Sequence, residues 1–343
     1  MQKIDIFAPN VRHGGGSILL KQLIVSLVDE NLIGKVYVSE SLKQSLPLNS
    51  NIKYNKDTFF SRIIAEIKLH RQATKDSKIL FFGNLPPFKK ISSQTYLYLH
   101  NILLISKNQN YKLPVKTKIR IVLEKVYLRL FIKNVTTIFV QTPEMVKKLN
   151  SFKKDLSIKL KPFIEHDHIT ESYKAKEYDF IYPSYAYPYK NHRLLLNTWI
   201  NLAAVNSYPK LCLMLDSSLD RKTIDKFYQA KKKHKINVDI YFNLSNEEVL
   251  NFYKKTKALV WPSFNESFGM PILEAFYTGI PIVAANLEYI NDMLDRAYLF
   301  DPNSEKDLQD KIELFLNHYN QGSTLFPILK LKIISAKEFI KSM

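Results

Sequence analysis

The chain has 343 residues, 46% of them hydrophobic, which is enough for two ordinary domains and excludes wholesale disorder. One cysteine, Cys212, excludes an internal disulfide and a cysteine-built zinc site, and no run of 18 apolar residues offers a membrane span. Fifty Lys and Arg against 32 Asp and Glu give a net charge of +18, which draws polyanions such as nucleic acid, anionic lipid or phosphorylated substrates, unless lysine is only the chain's solubilising residue.

In chain order, short β-rich runs alternate with helical patterns. The first residues carry no long apolar segment, so no secretory signal is expected. Ile4–Phe7 reads as a strand. Ile18, Leu19, Leu23, Ile24 and Leu27 then recur at helical spacing. Strands follow at 35–38, 79–82, 96–99 and 137–140, with helices at 59–72 and 116–133 and another opened by Pro143. The pattern breaks near 162–177 and restarts at Asp179–Tyr182. Strands are expected at 211–215, 238–242, 257–261 and 281–284, and helices at 191–203, 221–233, 246–255 and 271–278. Strand–helix alternation on both sides of a break predicts two doubly wound α/β domains, 1–165 and 166–322. A basic amphipathic segment within 323–343 is expected to form a helix that returns to the first domain. Ligands of such sheets lie beyond the carboxyl ends of the strands, so two domains of this kind facing each other place a site in the cleft.

The motifs that carry chemistry lie at strand ends. Gly14-Gly15-Gly16 follows the first strand and opens the first helix, where backbone N–H groups meet an anion, although a plain tight turn reads the same way. His100 ends another strand and could be a satisfied structural residue. The densest segment is 258–286. There a buried strand ends at Pro262, a loop holds Glu266 and Gly269, and a helix from Met270 carries Glu274 in its first turn. Two carboxylates at that strand end suit sugar and ribose hydroxyls, and the N–H groups of Phe268, Gly269 and Met270 suit a phosphate or sugar oxygen. The ordinary alternatives are a helix-dipole role for Glu274 and a solvated loop position for Glu266. His166, Asp167 and His168 have metal-ligand chemistry but sit in the expected linker. His192 is expected to cap or pack at a helix start.

The segment Pro262-Ser-Phe-Asn-Glu266-Ser-Phe-Gly269-Met-Pro-Ile-Leu-Glu274-Ala275 resembles the E-x7-E signature of retaining glycosyltransferases of GT-B fold, the large family four. The glycine turn, Tyr98-Leu-His100-Asn101, Phe139–Met145 and Tyr187-Pro-Tyr-Lys190-Asn-His192 resemble further segments of that family, so the likeness runs over most of residues 1–300. It implies a GT-B enzyme moving a sugar from a nucleotide-sugar to a glycan, lipid-linked or part of a lipopolysaccharide or other surface polysaccharide. By resemblance, Glu274 holds the ribose, Glu266 the donor sugar and Lys190 the diphosphate. Gly15 and Gly16 approach the phosphates, Phe268, Gly269 and Met270 contact the sugar through backbone, and His100 belongs with Glu266 and Lys190 to the catalytic set. Such enzymes retain anomeric configuration by front-face attack, and no protein nucleophile is assigned. Many relatives carry an arginine five residues before the lysine; here that position is Tyr185.

No Asp-x-Asp occurs, so no metal or other cofactor is expected, Lys190 and helix N-termini supplying positive potential instead. The helix near 116–133 sets Lys118, Lys125, Arg129 and Lys133 on one face and Ile119, Leu123, Val126 and Leu130 on another. The basic face is expected to meet an anionic membrane while the apolar stripe packs on the sheet. The resulting expectation is a cytoplasmic protein, peripheral on the inner face of the membrane, with no specific nucleic-acid partner. A sugar-nucleotide epimerase on the same fold and a basic nucleic-acid-binding protein remain the alternatives. The first gives no reason for the carboxylate pair, and the second lacks a recognisable motif.

Overall fold

The computed structural model describes residues 2–106, 112–165 and 175–343. These form two compact domains, the first from residues 2–106, 113–165 and 332–343 and the second from 175–331. The first domain runs β1 (Ile4–Ala8), α1 (Gly15–Asp29), β2 (Ile33–Ser39), β3 (Ile52–Asn55), α2 (Phe59–Gln72), β4 (Lys78–Phe82), β5 (Gln94–Tyr98), α3 (Val115–Phe131), β6 (Thr137–Val140), α4 (Pro143–Phe152) and β7 (Ile158–Leu160). The second runs β8 (Tyr178–Pro183), α5 (His192–Ala204), β9 (Leu211–Leu215), α6 (Arg221–His234), β10 (Val238–Phe242), α7 (Asn246–Lys254), β11 (Thr256–Trp261), α8 (Met270–Tyr277), β12 (Ile282–Ala285), α9 (Glu288–Met293), β13 (Leu294–Asp295), β14 (Tyr298–Phe300), α10 (Glu305–Asn320) and β15 (Ile328–Leu329). The last helix, α11 (Ala336–Lys341), belongs to the first domain.

Both main sheets are parallel. Their orders are β3-β2-β1-β4-β5-β6-β7 and β10-β9-β8-β11-β12-β14. Each order reverses beside its first strand, β1 against β4 and β8 against β11. Such switch points open a crevice at the strands' carboxyl ends. Central strands covered on both faces read as near-continuous apolar runs, and every residue of β9 and β12 is buried.

The sequence pattern located the main strands but passed over β3, β7 and β14, each four residues or fewer. It also passed over α10, which buries Leu308, Ile312 and Phe315 behind an N-cap at Ser304. The expected tail helix over 323–343 is corrected. Ile328–Leu329 pair antiparallel with β13, and only Ala336–Lys341 are helical. Pro327 and the β-branched Thr324, Ile328, Ile333 and Ile334 disfavour a helix over 324–334, whereas Ser335 and Glu338 form a capping box that starts the helix there.

Helix α11 is clamped onto α1 and the first sheet. Lys337 pairs with Glu30, and the Tyr96 hydroxyl donates to the Met343 carbonyl at 2.6 Å. Phe339 is fully buried, with ring centroids 4.6 Å from Phe163, 5.0 Å from Phe139 and 5.4 Å from Tyr98. Phe339→Ala is therefore expected to cost about 3–5 kcal/mol in the first domain's stability, read as a lower urea midpoint for that domain. A shift below ~1 kcal/mol would show that the closing helix contributes little.

Candidate active site

In the first domain the glycine turn and His100 come together at the carboxyl ends of β1 and β5. Gly14 caps α1 with φ +74° and no side-chain bond, so the first N–H groups of α1, those of Gly15 and Gly16, lie at an uncapped helix start. A Cβ on Gly16 would stand 2.7 Å from Cε1 of His100, so only glycine lets the backbone and this ring meet. The His100 amide donates to Oδ1 of Asn84 at 2.8 Å, and Asn84 itself adopts φ +74°. Burial pushes the His100 pKa down to about 4, so the imidazole is neutral at pH 7. Its Nε2 is buried without a hydrogen-bond partner among the described residues. Asn84 carried no motif and was not visible from sequence.

In the second domain Lys190 and Glu266 form an ion pair between Nζ and Oε1, each side chain little exposed. The Lys190 ammonium also lies 4.5 Å from the centre of the Trp261 ring. The Ser263 hydroxyl donates to Oε1 of Glu266 at 2.7 Å, and the Phe264 amide donates to the Tyr189 carbonyl at 2.7 Å. These bonds tie the loop after β8 to the loop after β11. Tyr289 braces the second loop, its hydroxyl donating to the Ser263 carbonyl at 2.7 Å. Ser263 and Tyr289 belong to the site's frame and were not singled out from sequence.

The loop then turns into α8 at Gly269, whose φ of +68° is left-handed. A Cβ there would stand 2.7 Å from Cδ1 of Ile272, so glycine is required twice over. Pro271 occupies the first turn, and no side chain caps the helix start at Phe268–Met270.

Glu274 lies one turn inside α8 rather than in its first turn, which removes the helix-dipole reading. It is buried with 5% exposure, and the Tyr253 hydroxyl of α7 is its side-chain partner. Desolvation raises its pKa to about 7, against the lowering from Tyr253. Burial thus favours the neutral carboxyl, which can donate as well as accept a hydrogen bond. Tyr253 was likewise missed, because a tyrosine on an amphipathic helix reads as core.

Tyr185 stands in acidic company. Asp220 is buried, its carboxylate accepting from the Ala186 and Asp216 amides at 2.9 Å each. Burial and then Asp216 raise the Tyr185 pKa. The loop after β8 therefore offers cationic charge through Lys190 and not through position 185. The His192 ring packs on Tyr182 at 4.8 Å, with Nε2 3.2 Å from the Ser184 carbonyl; burial takes its pKa down to about 3, the profile of a packed residue. His166, Asp167 and His168 lie outside the described residues. Among the described residues no cluster of three His, Cys, Asp or Glu could hold a metal.

Of the four expected membrane-facing cations, Lys118, Arg129 and Lys133 are exposed. Lys125 is half-buried; it donates to the Ser106 carbonyl, and burial lowers its pKa. Arg129 donates to the Phe152 carbonyl at 3.2 Å and lies over that ring. The buried side of α3 is Ile121 and Leu128, and the apolar stripe faces out.

Residues 164–324 match the model of the family described as glycosyl transferases group 1. Over 201 residues the chain is 24% identical to the O-antigen chain mannosyltransferase RfbU of Salmonella typhimurium, covering 56% of this chain and 55%, about half, of that protein. Among solved structures, sucrose-phosphate synthase of Thermosynechococcus elongatus superposes with a TM-score of 0.71 at 13% identity over 94% of this chain and 92% of that one. HepE of Anabaena, in complex with UDP and glucose, superposes with 0.67 at 13% identity over 94% and 92%. The fold is GT-B.

The Glu274 pKa fixes a pH dependence. Below about pH 4.5 the carboxyl is protonated in folded and unfolded chains alike, and the stability of the buried neutral acid is fully present. Between about 4.5 and about 7 the unfolded chain loses the proton first, so stability falls as pH rises. Glu274→Gln lacks this term. The stability difference between wild type and the variant should therefore shift by on the order of 3 kcal/mol against wild type across that window, measured by urea unfolding at each pH. A pH-independent difference would show that the carboxyl ionises normally.

Proposed function

We propose that this chain, whose residues 164–324 belong to the glycosyl transferases group 1 family, transfers a glycosyl group from a nucleotide-sugar to a glycan acceptor. The observation that carries the reading is the constellation at the β8–β11 switch point: Lys190 on Glu266, the uncapped start of α8, and Glu274 one turn behind it. An ammonium and a helix N-terminus suit a diphosphate; two carboxyl groups suit hydroxyls. In this reading Lys190 exchanges Glu266 for the diphosphate as the donor arrives and neutralises the charge that develops on the leaving group. Glu266, released, accepts from the sugar hydroxyls, and Glu274 accepts from the ribose. In the first domain, Gly15 and Gly16 offer backbone N–H groups to an anion, and the neutral His100 serves as a hydrogen-bonding group and not a cation.

Transfer with retention follows from front-face attack, in which the acceptor oxygen bonds to the anomeric carbon as the bond to phosphate breaks and the departing phosphate takes the proton. No metal is required in this scheme. The relative's printed activity favours an O-antigen chain acceptor and a mannosyl donor. A lipid-linked or lipopolysaccharide glycan on the cytoplasmic side of a membrane is the acceptor class proposed.

A thermal-shift panel of UDP-, GDP-, ADP- and CMP-sugars tests the reading, since a ligand at ~100 times its dissociation constant adds ~2.7 kcal/mol. One nucleotide class is expected to stabilise the protein; no shift with any of them would overturn the proposal. With that donor, Glu274→Ala should weaken nucleoside diphosphate binding about tenfold or more. Glu266→Ala should leave that binding unreduced, because Lys190 is set free, while lowering turnover by the equivalent of ~2–4 kcal/mol. Transfer should persist in a chelator. Loss that magnesium or manganese restores would refute the metal-free scheme, and an altered sugar released without acceptor would favour an epimerase.

A further inference from the structure

The first domain exposes an apolar surface that the transfer reaction does not use. On α3, Val115, Ile119, Val122, Leu123, Val126 and Leu130 are all at least half exposed, Ile119 at 56% and Leu123 at 65%. They recur at helical spacing and form one stripe opposite the buried Ile121 and Leu128. Helix α2 adds Phe59 at 65%, Phe60 at 76% and Ile64 at 53%. The two helices are neighbours: the Arg62 guanidinium of α2 lies 5.3 Å from the centre of the Tyr127 ring of α3. Soluble surfaces scatter large apolar residues singly, and a run of this kind on adjoining helices marks an interaction site.

Charge decides the occupant. Lys116, Lys118 and Arg120 border the stripe on α3, and Lys68 and Arg71 are exposed on α2. The carboxylates of these helices are Glu66, which is buried, and Glu124, which burial shifts upward and which pairs with Arg120. A second copy docked by two-fold symmetry would bring this cationic border against itself. A sheet of anionic headgroups over an acyl layer matches both parts, apolar residues entering and lysines and arginines staying at the phosphates.

We propose that the exposed faces of α2 and α3 insert shallowly into an anionic lipid bilayer, with Phe59, Phe60, Ile119, Leu123 and Leu130 entering the headgroup–acyl boundary. The inference stands on exposure and charge in the first domain and does not rest on the transfer reaction. It differs from an electrostatic contact through Lys118, Lys125, Arg129 and Lys133, since two of those cations are tied to backbone carbonyls.

Flotation of the full chain with vesicles tests it, comparing phosphatidylcholine alone with phosphatidylcholine mixed with phosphatidylglycerol. Wild type should float with the mixed vesicles and much less with the neutral ones. The pair Phe59→Ser with Phe60→Ser on α2, and separately the triple Ile119→Ser, Leu123→Ser and Leu130→Ser on α3, should each lower partitioning by about tenfold or more even at low salt. All five sites are exposed, so far-UV circular dichroism should be unchanged, and the two sets on different helices read independently should one fail to fold. Nucleotide binding by the second domain, measured in parallel, separates a failure here from a failure of the proposed transfer reaction. Wild-type partitioning by both variants would reduce the contact to charge and overturn insertion. Equal binding to neutral vesicles would overturn the anionic requirement. A wild-type dimer that avoids vesicles and that the serine variants dissolve would make a second copy the occupant.

Discussion

The strand-end loops of the second domain are held by one little-exposed contact, the ion pair between Lys190 and Glu266. It joins the loops that follow β8 and β11, the adjacent strands at the point where the strand order reverses. Such a pair is a poor source of stability, because desolvating both charges offsets most of their attraction. Its use lies in position. Each charge keeps the other in place and neutral in sum, while the Ser263 hydroxyl and the Trp261 ring fix the atoms around it. In the proposed reaction a polyanion takes over one partner and releases the other, so that binding and presentation of the carboxylate would be a single event.

Glycine governs how closely backbone can approach these groups. At Gly269 the left-handed turn and the Ile272 side chain both exclude a Cβ, and the result is a helix start with its N–H groups uncovered. At Gly16 the excluded Cβ is replaced by the His100 ring. Both domains thus solve the same problem, an N-terminus left open beside a strand end, with different neighbours: a charged pair in one and a neutral imidazole in the other.

The alternation of strands and helices was legible because buried parallel strands are continuous apolar runs and their helices keep a 3.6-residue period. The E-x7-E segment was legible because its glycine, proline and carboxylates stand close together in sequence. Partners that meet through the fold were not. Asn84 beneath His100, Tyr253 on Glu274, Asp220 behind Tyr185 and Tyr289 behind Ser263 are each distant in sequence from what they hold, and each belongs to a residue type common in cores or turns. Nor could spacing reveal that Glu274 is buried with a pKa near 7, since that depends on α7 packing over it.

Helix α3 shows why amphipathic pattern alone misassigns a face. Its sequence offers two apolar arcs, Ile121–Leu128 and Ile119–Leu123–Val126–Leu130, separated by charged residues. Hydrophobicity favours the second arc for the core because it is larger. The first is the one that packs, and the geometry of its ends accounts for it. Lys125 donates to the carbonyl of Ser106 and Arg129 to that of Phe152, so the cations beside the smaller arc tie that side of α3 to neighbouring backbone. These bonds favour the smaller arc as the packed face, and the larger apolar arc is left on the solvent side. A surface exposed for that reason costs solubility wherever nothing covers it, and an interfacial layer with anionic headgroups is the environment in which both its apolar stripe and its cationic border are favourable at once.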